Sequence, residues 1–312
     1  MSSSDKTPGK SSGVLSWPTC SRRVNYFPQE NNLMGFRFTL CADDFAVSPA
    51  VSRGILEVLE ARRLSATSVM ANRPHWRWAA RELNQFAKVA EIGLHLNLTL
   101  GSPLSPMPKL APGGEFPKLQ RLLRASLQRK LPETELRGEI ARQLDAFEEA
   151  LGKPPDFVDG HQHIQVLPII RDSLLAELTA RKLAGRTWLR DSSDTLARIV
   201  ARRVEIGKAV TVSGLGRGFA RAAAGAGFAI NDGFSGYSSF APGRDYGADF
   251  RRYLVAPGVW HLVMCHPGRV DEGLAVSDPV TTTREQELDF LMSSRFADVL
   301  AAADATLASP DA

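Results

Sequence analysis

From residue 35 onward, short apolar segments alternate with amphipathic stretches, and this alternation restricts the possible folds more than any other feature of the sequence. The first segment, Phe36–Ala42 (FRFTLCA), has the continuous apolar character of a buried strand. Ser48 and Pro49 then have the residue types of a helix N-cap and of a first helical position. The apolar face of that helix would be formed by Val51, Ile55, Val58 and Leu59.

The same pairing is repeated along the rest of the chain. Further strands are predicted near 66–71, 89–98, 157–163, 186–190, 208–212, 227–231 and 259–265. Further helices are predicted near 75–86, 133–151, 168–183, 192–205, 215–225, 245–254 and 284–304, with Gly152 ending the second of these. Strict alternation favours an α/β fold with a parallel sheet covered by helices. Seven or eight such units favour a closed or nearly closed, TIM-like (β/α) barrel, and a doubly wound open sheet is the alternative.

Two segments of the 312-residue chain depart from this pattern. Residues 1–33 are rich in Ser, Pro, Asn and Lys and lack apolar periodicity, so we expect a disordered extension followed by a single domain over 34–312. Met34 directly precedes the first predicted strand, so translation could start at Met1 or at Met34. Residues 101–118 contain five prolines and directly follow the third predicted strand, where an irregular insertion would form a lid or a wall of the substrate site.

Composition argues against several other classes of protein. Hydrophobic residues make up 44% and charged residues 23%, as in ordinary globular domains, and no apolar run is long enough to span a membrane. The net charge of +4 is spread along the chain, without the basic stripe typical of a nucleic-acid-binding protein. Three cysteines without a C-x-x-C pair argue against a disulfide framework and a structural zinc site, and the N-terminus lacks the apolar segment of a signal peptide. We therefore expect a cytoplasmic protein, and the sequence leaves a homo-oligomer open.

Polar side chains with catalytic potential follow four of the predicted strands. They are Asp43 and Asp44 after the first strand, His95 and Asn97 at the end of the third, Asp159, His161 and His163 at the end of the fourth, and His266 after the last. Because barrel active sites form at the carboxyl ends of the strands, we expect these side chains to meet at one rim. Each segment alone has an ordinary structural explanation, and their joint placement carries the functional prediction.

The alternation of side chains along a strand makes this prediction more specific. In the segment EIGLHLNLT, the leucines would form one row and His95, Asn97 and Thr99 the opposite row. In the fourth segment, one row would be formed by Asp159, His161, His163 and Gln165. Asp43 and Asp44 would point in opposite directions on a regular strand, although a turn could direct both inward.

These residue types suit a hydrolytic metal centre. Two imidazoles and one carboxylate are a common ligand set for a catalytic ion that keeps open coordination positions. Such an ion makes hydroxide available near neutral pH by lowering the pKa of a bound water. Of the adjacent carboxylates Asp43 and Asp44, one could then hold the metal while the other accepts a proton.

Five motifs in a fixed order resemble those of the YdjC-like carbohydrate deacetylase family. They are ADDFAVSPAVSRGI, SVMAN, VAEIGLHLNLTLGSPL, PDFVDGHQHIQVLP and VMCHPG, and the resemblance extends from about residue 36 to 295. It implies a distorted (β/α) barrel related to the polysaccharide deacetylases, and one divalent metal ion, Mg²⁺ or Zn²⁺. It also implies a hydrolase that removes an N-acetyl group from an amino sugar, in an oligosaccharide or a glycolipid.

The resemblance also implies roles for individual residues. The metal ligands correspond to Asp44, His95 and His161. Asp43 corresponds to the general base, and His266 to the histidine that protonates the leaving amine. Supporting or substrate-binding roles fall to His163, Asn97, Asp159, Arg190, Phe234 and Tyr237. The two aromatic residues of this set could stack on a sugar face or pack a loop.

Two positions depart from the family pattern. Ala46 replaces the glycine that follows ADDF, which would strain the turn if this position requires a positive φ. Gln165 stands where a further histidine often follows the fourth-strand motif. Neither position is among the implied ligands, so both bear on the choice of substrate.

The sequence therefore predicts a metal-dependent amidase that releases acetate and a free amine from an N-acetylated sugar. A metal-dependent phosphoesterase is one alternative, because rims of Asp and His also serve phosphoryl transfer. The ligands visible in the sequence suffice for one metal, and no basic cluster accompanies them, which disfavours that alternative. A non-catalytic sugar-binding barrel is the second alternative, and it would need neither Asp43 nor His266.

Overall fold

The structure, a computed structural model, describes residues 35–277 and 280–308. The predicted extension over 1–33 and the candidate start at Met34 lie outside the described residues. The strands are β1 (Phe36–Phe45), β2 (Ala66–Val69), β3 (Glu91–Leu96), β4 (Phe157–Gly160), β5 (Trp188–Leu189), β6 (Phe234–Ser235), β7 (His261–Cys265) and β8 (Ala305–Leu307). The helices are α1 (Pro49–Glu60), α2 (Trp76–Asn84), α3 (Leu119–Leu127), α4 (Glu133–Leu151), α5 (Ile170–Ala180), α6 (Leu196–Arg202), α7 (Ile206–Leu215), α8 (Phe219–Gly225), α9 (Tyr246–Tyr253), α10 (Glu272–Ser277), α11 (Thr282–Met292) and α12 (Ser294–Ala302), and a 3₁₀ helix spans His161–Val166.

The strands form one parallel sheet that curves round on itself. Their pairing order is β5-β4-β3-β2-β1-β7-β6, with β8 added beside the start of β1. A doubly wound sheet would reverse its order beside β1, whereas here the order runs outward from β1 to β5 and returns through β6 and β7. The two ends of the order meet, because Leu189 of β5 forms a bridge with Ile230, shortly before β6. The predicted (β/α) barrel is thus confirmed, and the open-sheet alternative is wrong.

The local signals that predicted individual helices are also confirmed. Ser48 Oγ accepts a hydrogen bond from the backbone N–H of Val51 at 3.2 Å, and Pro49 occupies the first position of α1. The helix predicted over 133–151 is α4. Gly152 ends it with a φ of +70°, which glycine adopts without a steric penalty.

Two of the predicted strands are wrong. Residues 208–212 lie within α7, although Val210, Thr211 and Val212 are β-branched. Val210 and Thr211 are exposed there, so no half-buried pleated surface favours a strand. The strand predicted over 227–231 contributes only the bridge at Ile230, and β6 begins at Phe234. Helix α3 and strand β8 are additional elements that the sequence pattern does not indicate.

Inward-facing side chains fill the barrel in layers. Near the amino ends of the strands, Trp188 stacks on Phe157 with 4.5 Å between ring centroids and meets Trp260 edge to face at 4.9 Å. Cys41 and Met264, neighbours on β1 and β7, continue this interior core. The next inward positions towards the carboxyl ends are polar. The candidate site therefore lies on top of a packed floor, formed by Trp188, Phe157 and Trp260.

Candidate active site

Both carboxylates at the end of β1 face the interior. Asp43 follows Cys41 on the inward side of the strand, as the alternation requires. The register of β1 against β2 is irregular between Ala42 and Phe45, and Asp44 has a φ of +69°. This local turn directs Asp44 inward as well. Of the two possibilities left open by the sequence, the structure therefore shows the turn that directs both carboxylates inward.

Asp44 brings two histidines together. Its Oδ1 lies 3.0 Å from Nδ1 of His161 and 3.2 Å from Nε2 of His95. The three ligand atoms lie within 4.8 Å of one another, and the side chains of Asp44 and His95 are buried. The structure therefore brings together the carboxylate and two imidazoles that the sequence pointed to.

His95 is held in place from behind by a second carboxylate. Its Nδ1 lies 2.6 Å from Oδ1 of Asp159 on β4 and 3.0 Å from Oγ of Ser68 on β2. Burial lowers the pKa of His95, but the carboxylates of Asp159 and Asp44 outweigh burial and raise that pKa to about 10. A cation bound at Nε2 would replace the proton that these carboxylates favour.

The row of side chains predicted for the fourth strand is wrong. Strand β4 ends at Gly160, and the 3₁₀ helix follows with φ of +57° at Gln162 and +60° at His163. His161 still reaches Asp44, but His163 turns to Oγ of Ser192 at 3.1 Å. Gln165 is also redirected, and its Nε2 donates to the carbonyl of Arg190 and to Ser192 Oγ. His163 and Gln165 thus support the wall behind His161 and do not share its direction.

Asp43 is engaged by a buried arginine. Nη1 and Nη2 of Arg190 each donate to one oxygen of Asp43 at 2.6 Å, and Nη2 also lies 2.6 Å from Oδ2 of Asp159. Burial raises the pKa of the Asp43 carboxyl, but Arg190 outweighs burial and holds that pKa well below its usual range. Cys41, Asp43 and Asp159 form a second group of candidate metal ligands, and this group surrounds the guanidinium, which already provides its cation.

His266 lies just beyond β7, on the same rim. Its backbone N–H donates to Oε2 of Glu287 at 2.5 Å, and its ring meets Phe240 edge to face at 5.2 Å. Burial lowers the pKa of His266 to about 4, although Asp44 and Asp43 act in the opposite direction. Within the described residues, the buried Nδ1 of this imidazole has no hydrogen-bond partner. A buried polar atom without a partner is rare in folded proteins and calls for an explanation.

Three other residues with predicted supporting roles are buried, two of them in loops and Phe234 in β6. Asn97 lies beyond the end of β3, and its Oδ1 accepts the N–H groups of Thr99 and Leu100, so its side chain shapes the turn into the insertion. Phe234 and Tyr237 are 1% and 4% exposed, and their rings pack against each other. This burial matches the packed-loop alternative and leaves little aromatic surface for a sugar to stack on.

The Pro-rich insertion 101–118 is fixed to α4 by carboxylates. Glu139 accepts the N–H of Leu104 at 3.0 Å, and Glu135 accepts the N–H of Leu110 at 2.9 Å. Met107 packs into the core with 2% exposure. The insertion follows β3, so it belongs to the rim that carries the candidate site. These contacts hold the insertion in place, and its role as a lid or a wall of the substrate site stays a prediction.

Ala46 adopts the conformation that the sequence flagged as a source of strain. Its φ is +72°, and the residue is fully buried. Its N–H donates to Oγ of Ser52 at 3.0 Å, which holds the turn closed. A residue with a Cβ at this φ costs about 1–2 kcal/mol. The glycine of the family pattern would avoid that cost.

Two buried charges on α11 contact the site and were not predicted. Nη2 of Arg284 donates to Oδ2 of Asp44 at 2.7 Å, and Glu287 accepts the N–H of His266. In the sequence they lie in TTREQELDF, a run whose charges resemble a solvated helix surface. Their three-residue spacing alone cannot reveal that these two charges face inward while Glu285 between them is exposed.

The family of the chain follows from a comparison with known protein families. The model of the YdjC-like protein family matches residues 37–302. The chain belongs to the YdjC-like family. Its match to the chitooligosaccharide deacetylase of Proteus mirabilis (strain HI4320) is 34% identical and covers 42% of this chain and 52% of that protein. The match to the chitooligosaccharide deacetylase of Klebsiella pneumoniae (strain 342) is 29% identical and covers 81% of this chain and 89% of that protein.

The match to this YdjC-like chain spans about half the length of the Proteus mirabilis protein and of the Enterobacter and human relatives. A solved structure from Enterococcus faecalis V583, whose name connects it with cellobiose-phosphate cleavage, superposes with a TM-score of 0.66. It covers 88% of this chain and 97% of that one at 21% identity, so it supports the fold alone. Among the described residues, no helix combines the length and the apolar character needed to cross a membrane.

Proposed function

We propose that this YdjC-like protein is a metal-dependent carbohydrate N-deacetylase, which hydrolyses the acetamide of an N-acetylated amino sugar to acetate and a free amine. The observation that carries the proposal is the convergence of Asp44 Oδ1, His95 Nε2 and His161 Nδ1 at the rim that also holds Asp43 and His266. The names of the curated relatives support a chitooligosaccharide as the substrate class.

The donor atoms fit a divalent metal ion held by Asp44, His95 and His161. Imidazole nitrogens suit Zn²⁺ and related transition metals, whereas Mg²⁺ prefers oxygen ligands. Asp159 on Nδ1 of His95 is the outer partner that metal-ligating histidines usually have. The proposed ion is therefore Zn²⁺ in preference to Mg²⁺. When bound, it supplies Lewis acidity that polarises a carbonyl and lowers the pKa of water.

Asp43 is the proposed proton acceptor. Arg190 keeps its carboxylate ionised, because two hydrogen bonds at 2.6 Å favour the charged form. Each carboxylate oxygen has a second lone pair, so Asp43 can accept a proton from the attacking water while Arg190 stays bonded. The same ion pair makes Asp43 a weaker base, so its contribution comes from its position beside the reacting atoms.

His266 is the proposed proton donor to the departing nitrogen. Because burial lowers its pKa to about 4, the imidazole is neutral near pH 7 and must acquire a proton during the reaction. The attacking water holds two protons. As its oxygen bonds to the acetamide carbon, one proton passes to Asp43, which later releases it to solvent, and the other passes to His266. Delivery of that proton to the nitrogen, as the C–N bond breaks, yields acetate and a neutral amine.

The geometry favours this function over the two alternatives. A two-metal phosphoesterase would need a second cation near Asp43, and Arg190 occupies that position. A sugar-binding barrel would have no use for an ionised Asp43 buried beside the site, since an unneeded buried charge is costly. The partnerless Nδ1 of His266 likewise fits a proton-transfer group better than a packing residue.

The test uses protein stripped of metal with a chelator and reconstituted with Zn²⁺ or Mg²⁺. We expect metal-dependent acetate release from N-acetylated chitooligosaccharides, restored better by Zn²⁺, and no phosphate release from aryl phosphates. Asp44→Asn should lose both metal and activity, whereas Asp298→Asn, at an exposed position of α12, serves as the matched control and should keep both. Acetate release that is indifferent to the chelator, or phosphate release in its place, would overturn the proposal.

A further inference from the structure

The backbone at His266 is held by a helix. Strand β7 ends at Cys265, so the ladder with β1 stops one residue before the histidine. Beyond this point the backbone N–H of His266 donates to Oε2 of Glu287 at 2.5 Å. Two residues later, the N–H of Gly268 donates to the carbonyl of Arg284 at 3.1 Å. The segment that presents the imidazole therefore takes its position from α11.

The same turn of α11 also contacts the carboxylate on the other side of the site. Arg284 precedes Glu287 by three residues, and its Nη2 lies 2.7 Å from Oδ2 of Asp44. Both side chains are almost fully buried, Arg284 with 1% and Glu287 with 2% exposure. One rigid helical turn thus bridges the ends of β1 and β7, two strands that pair with each other.

The imidazole of His266 has few anchors of its own. Its Nδ1 has no hydrogen-bond partner among the described residues, and the aromatic contact is the edge of Phe240 at 5.2 Å. The direction of the ring therefore depends on where the backbone places its Cα. Burial of the Glu287 carboxyl group is costly, and the backbone N–H of His266 is one of the contacts that offset this cost, beside the neighbouring charge of Arg284.

We propose that Glu287 is a positioning residue, which acts through the backbone of His266 to place the proton donor relative to the metal ligand Asp44. This inference rests on the proposed function, because it assigns Glu287 a part in the same reaction. Glu287 itself does not touch substrate. Its removal should mimic a partial loss of His266 and leave the metal site intact.

The experiment compares Glu287→Met and Glu287→Gln with Glu285→Met, a matched control two residues away on the exposed face of α11. Glu287→Met removes the acceptor at similar size, and we expect kcat on an N-acetylated sugar to fall about 10–100-fold, since misplacement by about 1 Å can cost that much. An activated anilide, whose nitrogen needs less protonation, should suffer several-fold less. Metal content should stay at the wild-type level. Glu287→Gln keeps a neutral acceptor and should restore kcat to within a few-fold.

A purely structural role predicts a different pattern. Equal losses on both substrates, or no recovery in Glu287→Gln, would overturn the proposal. Adding Glu287→Met to His266→Ala should lower kcat no further, and an additive loss would also contradict it. If Glu287→Met does not fold, Glu287→Asn removes the contact by shortening the side chain and should give the same substrate pattern.

A further measurement does not depend on activity. Hydrogen exchange of the His266 amide should be faster in Glu287→Met than in the wild type and in Glu285→Met, and unchanged exchange would contradict the positioning role. A wild-type protein without deacetylase activity would refute the proposed function. The exchange data would still report whether Glu287 holds the backbone.

Discussion

Inward-facing residues of the same strands fill both ends of the barrel, but the two ends carry opposite kinds of side chain. At the floor, Trp188, Phe157 and Trp260 pack ring against ring. At the rim, the equivalent positions two residues further along carry charges, as at Arg190 just after β5 and Asp159 on β4. A parallel barrel thus separates stability from chemistry along each strand, because alternation repeats every second residue.

Backbone conformation also differs between the two ends, in the residues that have a positive φ. Near the floor, positive φ values occur at Arg62 and Lys182, each just after the end of a helix, where a left-handed residue commonly terminates the helix. At the rim they occur at Asp44, Ala46 and His163, where no helix end explains them. Backbone strain of this kind concentrates at functional sites, because the surrounding structure must stabilise it.

The largest expected effect on stability lies at the floor. Trp188→Ala removes a stacked, 4% exposed ring and should lower the free energy of unfolding by about 3–5 kcal/mol. Metal content and kcat of the folded protein should remain near wild type, because the floor does not touch the ligands. Urea unfolding and metal analysis measure both quantities. Trp78→Ala, at a 49% exposed position, is the control and should change stability by less than about 0.5 kcal/mol. Loss of metal binding in Trp188→Ala would show that the two ends are not separable.

The pH dependence of stability offers a second comparison at the floor. Burial, and then Asp156, raise the pKa of Glu91 to about 7, while Nε1 of Trp188 donates to its carboxylate. The pKa of Glu91 is higher in the folded than in the unfolded protein, so the folded state favours the protonated carboxyl. The contribution of this protonation to the free energy of unfolding is complete below about pH 4.5 and is lost as pH rises through about 7.

Glu91→Gln removes that titration and keeps an acceptor for Trp188. Between pH 5 and 8 the wild type should lose about 1–3 kcal/mol more unfolding free energy than the variant. Other buried carboxyls, such as Glu139, titrate in both proteins and cancel in the difference. Denaturant melts at several pH values measure it, and parallel curves for the two proteins would contradict the assignment.

The smallest expected effect lies at the rim and has the opposite sign. Ala46→Gly relieves the left-handed backbone at φ +72° and should raise the free energy of unfolding by about 0.5–1 kcal/mol. Ala79→Gly, in the buried face of α2, is the matched control and should lower it by about 1 kcal/mol. Destabilisation in both variants would mean that the rim turn is not strained.

The sequence predicted those features that depend on local pattern. The length of α4, the Ser48 cap and the inward direction of His95 each follow from spacing within a few residues. The strain at Ala46 could also be anticipated, because glycine is the residue type that a left-handed position favours.

The features that the sequence could not reveal depend on contacts between distant segments. Arg190 was among the implied supporting residues, but its pairing with Asp43, 147 residues away, was not predicted. The contact between Arg284 and Asp44, 240 residues apart, was not predicted either. Arginine is usually exposed, so nothing local indicates that these two side chains are buried. The 3₁₀ helix after β4 was missed because the alternation of polar residues in DGHQHIQ also suits a strand. The tertiary contacts of His163 and Gln165 decide the outcome there.

The central claim is that the two adjacent carboxylates at the rim divide the work, with Asp44 holding the metal and Asp43 accepting the proton. The most direct test replaces each by Asn and measures metal content, melting temperature and kcat on the same samples. Asp44→Asn should lose metal, and excess metal should restore part of its activity.

Asp43→Asn should keep metal near the wild-type level. Its kcat should fall about 10²–10⁴-fold, the usual contribution of a positioned general base, and added metal should not restore it. Asp43→Asn with full metal and near-normal kcat would contradict the division of labour, and so would loss of metal from Asp43→Asn.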